Sequence, residues 1–270
     1  MSVRRLTEVD RDVMERLLLQ DPVQNLFLLG VLEAQPVHRA HWYGVADAGA
    51  PRALIALFPG RLVVPWCPDA ADAATIARRI PASAHARMIV GPRDACDAIW
   101  SVWRTKTAPA CHFDQRLYTC GTPSPEPHDD QVRLATLADQ TDVMRNARAM
   151  EIEDLGRDPV TEDPSSFANS TVDRINDGRT WVSGAPGAIC FQVSVGTRTG
   201  QGCQVGGTWV SPKLRGQGIA TRAMRAVTAR LLLQHPLVTL HVNEANTPAV
   251  SAYERAGYHR GAAYRLIRID

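Results

Sequence analysis

Residues 206–224 read GGTWVSPKLRGQGIATRAM, and this run leaves the backbone few courses. An apolar strand ends at Val210, Pro212 breaks it, and a long helix opens after the glycines. Proline lacks the N–H that a strand needs. Gly216 and Gly218 tolerate positive φ and let the backbone approach a ligand closely. Beyond them Ile219, Ala223, Val227 and Leu231 recur at i, i+4 spacing, so one face of the helix is expected to be buried. The first-turn N–H groups of such a helix lack internal partners and carry the positive end of its dipole. Strand, glycine turn and helix N-terminus in that order predict an anion site suited to phosphate. Other phosphate motifs fit less well. No Gly-Lys-Ser/Thr is present for a P-loop, and Gly216-x-Gly218-x-x-Thr221 lacks the third small residue of a dinucleotide fingerprint.

A second segment follows, VTLHVNEANTPAVSAYERAGY over residues 238–258. It predicts a strand over 238–242 and a loop holding Asn243 and Asn246. Thr247 and Pro248 suit the N-cap and first position of a helix over 248–256. Ala249, Ala252, Tyr253 and Ala256 share one face of that helix. The small alanines leave room beside the hydroxyl of Tyr253.

The rest of the chain supplies a frame. Its 270 residues correspond to one or two domains, at about 150 residues each. Residues 121–130, GTPSPEPHDD, carry three prolines and an acidic end, which suits a linker between 1–120 and 131–270. Both parts begin alike, VRRLTEVDRDVM at residue 3 and VRLATLADQTDVM at residue 132. With a one-residue gap they share the opening Val-Arg and the closing Asp-Val-Met, the mark of a duplicated unit. In the first part helices are expected over 11–19, 23–34, 70–80 and 92–103, with strands over 41–46, 53–58, 61–65, 87–90 and 114–119. In the second, strands over 132–135, 180–183, 188–195, 202–210 and 237–242 alternate with helices over 139–152, 164–177, 216–234 and 248–256. A terminal strand pair closes it. The order is that of a mixed α/β fold.

A net charge of +2 is too mild to argue for nucleic acid or an anionic membrane as partner. The longest apolar runs fall far short of the roughly 18 residues of a membrane span. The N-terminus shows no apolar signal core, and none of the six cysteines has zinc-site spacing. A cytoplasmic protein with free thiols and no metal is the expectation.

Arg215-x-x-Gly218-x-Ala220 after the strand resembles the acyl-CoA signature of the GNAT acetyltransferase superfamily. VNEANTPAVSAYERAGY resembles that superfamily's second CoA segment, in matching order and separation. The resemblance covers 132–270, and the first part is similar to the N-terminal copy of tandem GNAT-like proteins that lack the signature. The resemblance implies an α/β mixed-sheet fold of two GNAT-like acyl-CoA N-acyltransferase units in tandem. It implies acetyl-CoA as co-substrate, its pyrophosphate cradled by the backbone of Leu214, Arg215, Gly216, Gln217, Gly218, Ile219 and Ala220. Thr208, Trp209 and Val210 would pair with pantetheine, and the Val210 N–H would polarise the thioester carbonyl. Asn243 and Asn246 would line the cofactor site, and Tyr253 would protonate the departing thiolate. An amine of a small molecule or protein would attack directly. The alternative is a non-catalytic acyl-CoA-binding sensor, because the strand GCQVGGTWV lacks the carboxylate base of many relatives. Glu151, Glu153 and Asp154 border the acceptor site in this resemblance; they suit a cationic amine, or are a solvated helix end. His241 either faces the cleft or is a structural strand histidine, and Cys190 and Cys203 are read as poor nucleophiles in apolar strands. Self-association stays open.

Overall fold

A computed structural model describes residues 2–47, 50–80, 86–104 and 110–269. Its elements follow one order twice. The first stretch runs β1 (Ser2–Leu6), α1 (Arg11–Leu18), α2 (Leu26–Ala34), β2 (His41–Asp47), β3 (Ala50–Leu57), β4 (Leu62–Trp66), α3 (Ala70–Arg79), β5 (Met88–Pro92), α4 (Arg93–Trp103) and β6 (Ala110–Cys120). The second runs β7 (Arg133–Leu134), α5 (Gln140–Leu155), the one-turn α6 (Pro159–Glu162), α7 (Pro164–Asn176), β8 (Thr180–Ser183), β9 (Phe191–Thr199), β10 (Gly202–Val210), α8 (Ile219–Leu232), β11 (Val238–Asn243), α9 (Thr247–Arg255) and β12 (His259–Ile269).

The chain forms two compact units: Met1–Tyr118 with His241–Ala245 and Arg260–Asp270, and Thr119–Leu240 with Asn246–His259. Residues 121–130 hold no helix or strand, as their prolines predict. The division of the chain into 1–120 and 131–270 is not that of the units, because the tip of β11 and nearly all of β12 belong with the first. The expected terminal strand pair is one strand of 11 residues. Alternation tells which side of a strand is buried, but not which sheet it joins.

In the first unit the strand order is β1-β2-β3-β4-β5-β12-β6. β4 and β5 run parallel, and β12 pairs antiparallel with β5 from Tyr264↔Pro92 to Arg268↔Met88. Helices cover both faces. Ile76, Ile99 and Trp103 pack on Val45, Ile55 and Ile89, while Met14, Leu17, Leu28 and Leu29 pack on Trp42 and Leu54. α3 has no glycine loop ahead of it. Its N-cap is Asp69, whose carboxylate accepts from Ala71 N at 2.8 Å. Asp72 in its first turn is buried and paired with Arg52 at 2.6 Å.

Both β1 and β7 open onto the same local structure, V-R-x-x-T-x-x-D without a gap. Arg4 clasps Asp10 through two bonds of 2.9 and 2.6 Å, and Arg133 clasps Asp139 through two of 2.7 and 2.8 Å. Each Asp also caps the following turn, accepting from Thr7 N at 2.9 Å and from Thr136 N at 2.8 Å. The gap in the sequence repeat falls after these aspartates.

In the second unit the order is β11-β10-β9-β8-β7. Val143 and Ile175 pack on Val182 on one face. The neighbouring Trp181 points the other way, beneath Arg230 of α8. Ala223, Val227 and Leu231 of α8 are buried and Ile219 is half-buried, close to the expected stripe. α8 begins at Ile219, three residues after the expected start at 216, because the glycines before it leave helical geometry.

Candidate active site

The end of β10 is bent. Gly206 pairs with Ser194 and Trp209 with Gln192, so Gly207 and Thr208 together oppose Val193 in a β-bulge. Gly207 has φ +67°, and a Cβ there would lie 3.6 Å from the Met150 methyl of α5. The parallel ladder to β11 covers Cys203↔Val238 and Gln204↔Thr239 and then stops. Among the described strands, residues 205–210 are paired only with β9.

That leaves an open strand edge. Ser211 N donates to Cys190 O at 2.9 Å. Backbone groups alternate along an antiparallel strand, so the N–H and C=O of the preceding Val210 face the opposite edge, away from β9. The Val210 carbonyl is indeed taken there, accepting from Arg215 Nε at 3.2 Å.

Next comes an exposed loop. Gly216 and Gly218 have φ of +79° and +73°, the left-handed region that favours glycine. A Cβ on Gly216 would meet nothing within 4 Å, so its backbone faces open space. Gly218 is the N-cap of α8. The α8 first-turn amides, Lys213 and Arg222 put positive charge in or next to this turn, while Arg215 is paired with Glu153.

Tyr253 is buried, and its ring meets Tyr258 edge-on at 6.1 Å. Burial pushes its phenol up to about 12, against a hydrogen bond from the side chain of Thr208 that lowers it; Asp154 adds a further rise. β10 and α9 thus meet at the Thr208–Tyr253 pair.

The three carboxylates at the end of α5 differ. Glu151 pairs with Arg157 at 3.0 Å. Glu153 is held by both guanidinium nitrogens of Arg215, at 2.7 and 2.8 Å, which lowers its carboxyl. Asp154 has no ion pair among the described residues. It is solvent-accessible, yet the protein around it raises its carboxyl by partial desolvation, with Glu153 adding to the rise and Arg215 opposing it.

Two expected assignments shift. The N-cap of α9 is Asn246, not Thr247; its Oδ1 accepts from Ala249 N at 3.2 Å, which places Pro248 second in the helix. Asn243 sits in the 241–245 segment of the first unit, with its Oδ1 accepting from Ala245 N at 3.1 Å. His241 lies in that segment too, its ring 4.3 Å from Tyr264, and burial pushes it down to about 4, so it is neutral at pH 7. Cys203 is buried and pushed up to about 12, which leaves its thiol inert.

Residues 157–258, which contain the bulge, the glycine turn and Tyr253, match the profile of the acetyltransferase (GNAT) family. Over those residues the chain matches a GNAT acetyltransferase domain. Solved structures extend the likeness of fold to the whole chain. A GNAT-family acetyltransferase from Colwellia psychrerythraea superposes with a TM-score of 0.62 at 11% identity, over 100% of this chain and 99% of that one. A GCN5-related N-acetyltransferase from Sphaerobacter thermophilus gives 0.63 at 19%, over 99% and 94%. A tandem GNAT protein from the clavulanic acid biosynthesis pathway gives 0.51 at 13%, over 99% and 98%. No curated protein matches the chain. Among the described residues no cluster of three His, Cys, Asp or Glu could hold a metal, and no helix is long and apolar enough to cross a membrane.

The local patterns of residues 206–258 carry the glycine turn and the helix of Tyr253. They carry no sign of the Thr208–Tyr253 contact or of the Glu153–Arg215 clamp. The Gly206-Gly207 doublet was the one available sign that β10 bulges there.

Proposed function

We propose that the GNAT domain transfers an acetyl group from acetyl-CoA to a primary amine by direct attack. The observation that carries this reading is the free edge of β10, which presents the Val210 N–H immediately before the glycine turn. The turn suits a pyrophosphate. Gly216 opens onto free space, first-turn amides stand behind it, and Lys213 and Arg222 flank it in sequence. The backbone of 214–220 would hold the pyrophosphate, and the edge of 208–210 would align pantetheine. Asn246 spends its oxygen on the helix cap and keeps its amide N–H groups for the cofactor. Acetyl-CoA supplies the activated acyl group.

The chain's own residues then divide the chemistry. The Val210 N–H stabilises charge developing on the thioester oxygen. Tyr253 holds its proton at neutral pH and donates it to the departing sulfur. The same desolvation makes a free thiolate costly beside it. The cationic amine first gives one proton to solvent; as the freed nitrogen bonds to the carbonyl carbon, the C–S bond breaks, sulfur takes the Tyr253 proton, and nitrogen's second surplus proton leaves to solvent, from which Tyr253 is reprotonated. Asp154, unpaired beside two neutralised glutamates, draws a cationic amine. In the first unit the Asp69 carboxylate takes a first-turn amide of α3 that an anion would otherwise use, so that unit is not assigned a cofactor.

Calorimetric titration of acetyl-CoA, with Gly218→Trp as control, tests the reading. One molecule bound per chain, lost in the variant, with acetyl transfer in an amine screen, supports it. No binding to the unmodified protein sinks it. Binding without transfer to any amine supports the sensor alternative.

A further inference from the structure

Arg215 joins two parts of the second unit. Its Nη1 and Nη2 donate to the two carboxylate oxygens of Glu153 at 2.7 and 2.8 Å, and its Nε donates to Val210 O at 3.2 Å. A single 3₁₀ turn over Pro212–Leu214 folds the chain back after β10, with Leu214 N donating to Ser211 O at 2.8 Å, and so brings Arg215 over Val210. The contact completes the fixing of one peptide plane. Ser211 N donates to Cys190 O at 2.9 Å on the β9 side. Val210 O is held on the open edge, so the planar 210–211 peptide is tied at both ends. Pro212 ends the ladder directly after it, and without Arg215 the last residue of β10 would be held from the β9 side only.

Stability does not explain this arrangement. The Arg215 and Glu153 side chains are 44% and 54% exposed, and an exposed ion pair contributes about 0–1 kcal/mol. Glu153 also lies in the last turn of α5, where the helix dipole disfavours a carboxylate by about 0.3–1 kcal/mol. The two effects roughly cancel. The position of the pair is more telling. Arg215 directly precedes Gly216, so an anion in the glycine turn would draw its guanidinium off β10 unless a carboxylate held it. The N–H and C=O of Val210 face the same edge. A bare carbonyl there would repel the negative charge that the N–H is to stabilise. We propose that Glu153 is a positioning residue: it keeps Arg215 on the Val210 carbonyl and withholds it from the pyrophosphate, so that the Val210 N–H meets the thioester oxygen while acetyl-CoA binds less tightly than the turn alone would allow. The inference rests on the acetyl-transfer reading.

Glu153→Gln tests it, with Arg215→Gln beside it. In the ¹⁵N-labelled full chain, the Val210 amide proton is followed with acetyl-CoA and with S-ethyl-CoA, a thioether that has no carbonyl oxygen. The difference between the two shifts reads the bond to the thioester oxygen. It should be present in the unmodified protein and lost in both variants. Calorimetry should show Glu153→Gln binding acetyl-CoA about threefold more tightly, because the freed guanidinium turns to the pyrophosphate; Arg215→Gln should show no such gain. For an amine found in the screen, kcat should fall about tenfold in both variants. Tighter binding joined to slower turnover is a split that loss of packing does not produce. A shift difference that Glu153→Gln leaves intact, or no gain in its affinity, overturns the proposal. An equal gain from Glu153→Gln in the Arg215→Gln background makes the effect one of net charge and overturns it as well. No shift difference in the unmodified protein sinks the acetyl-transfer reading, and this proposal with it.

Discussion

At the scale of single residues, Tyr253 carries the heaviest demand. Tyr253→Phe removes one oxygen from a packed ring, so acetyl-CoA affinity should stay within about twofold while kcat falls about 10²-fold or more. Stopped-flow or steady-state kinetics with calorimetry separates the two. The phenol is raised to about 12, so it loses its proton only far above neutrality. Turnover should therefore show no alkaline loss from this group up to pH 10. Asp154→Asn should raise KM for cationic amines about fivefold, the equivalent of about 1 kcal/mol for one exposed pair, and leave KM for acetyl-CoA unchanged. The place of Tyr253 on an alanine face was legible because helix periodicity sets it. Its Thr208 partner was not, because the bulge that turns Thr208 toward α9 arises from pairing with β9.

At the scale of elements, the doubled Arg–Asp clasp makes an acid-stability prediction. Asp10 and Asp139 are both lowered to about 2, first by the hydrogen bond from Arg4 or Arg133. A lowered carboxylate stabilises the fold fully above its unfolded value near 3.8, and that contribution is lost as pH falls through 2. Each clasp should contribute on the order of 1–2 kcal/mol at pH 7. Chemical denaturation from pH 6 to pH 2 should show the loss, and Asp139→Asn should flatten it. The shared opening of the two stretches was visible as Val-Arg and Asp-Val-Met. The bond that gives it meaning joins Arg4 to Asp10 and Arg133 to Asp139, six residues apart, a spacing that no helical or strand period marks.

At the scale of the whole molecule, the last strand does not stay with the stretch that precedes it. β12 lies between β5 and β6 in the first unit and buries Tyr264, Leu266, Ile267 and Ile269. Removing residues 260–270 takes a central strand from that sheet, so hydrogen exchange should show protection lost across β4 and β5. Retained protection there would mean that the first unit folds without its returning strand.

The local patterns of the sequence sufficed for most of the elements, the glycine turn with its left-handed residues, the alanine-faced helix of Tyr253, and the resemblance that joins them. Each depends on residues within about one or two turns of one another, where backbone sterics and periodicity act. Tertiary structure alone decided where β10 bulges, which way the Val210 N–H faces, which carboxylates meet arginines, and that β12 completes the first sheet. Those depend on pairing between segments far apart in the chain. A strand's sequence carries its alternation but not its partner, since backbone hydrogen bonds are the same for every residue except proline.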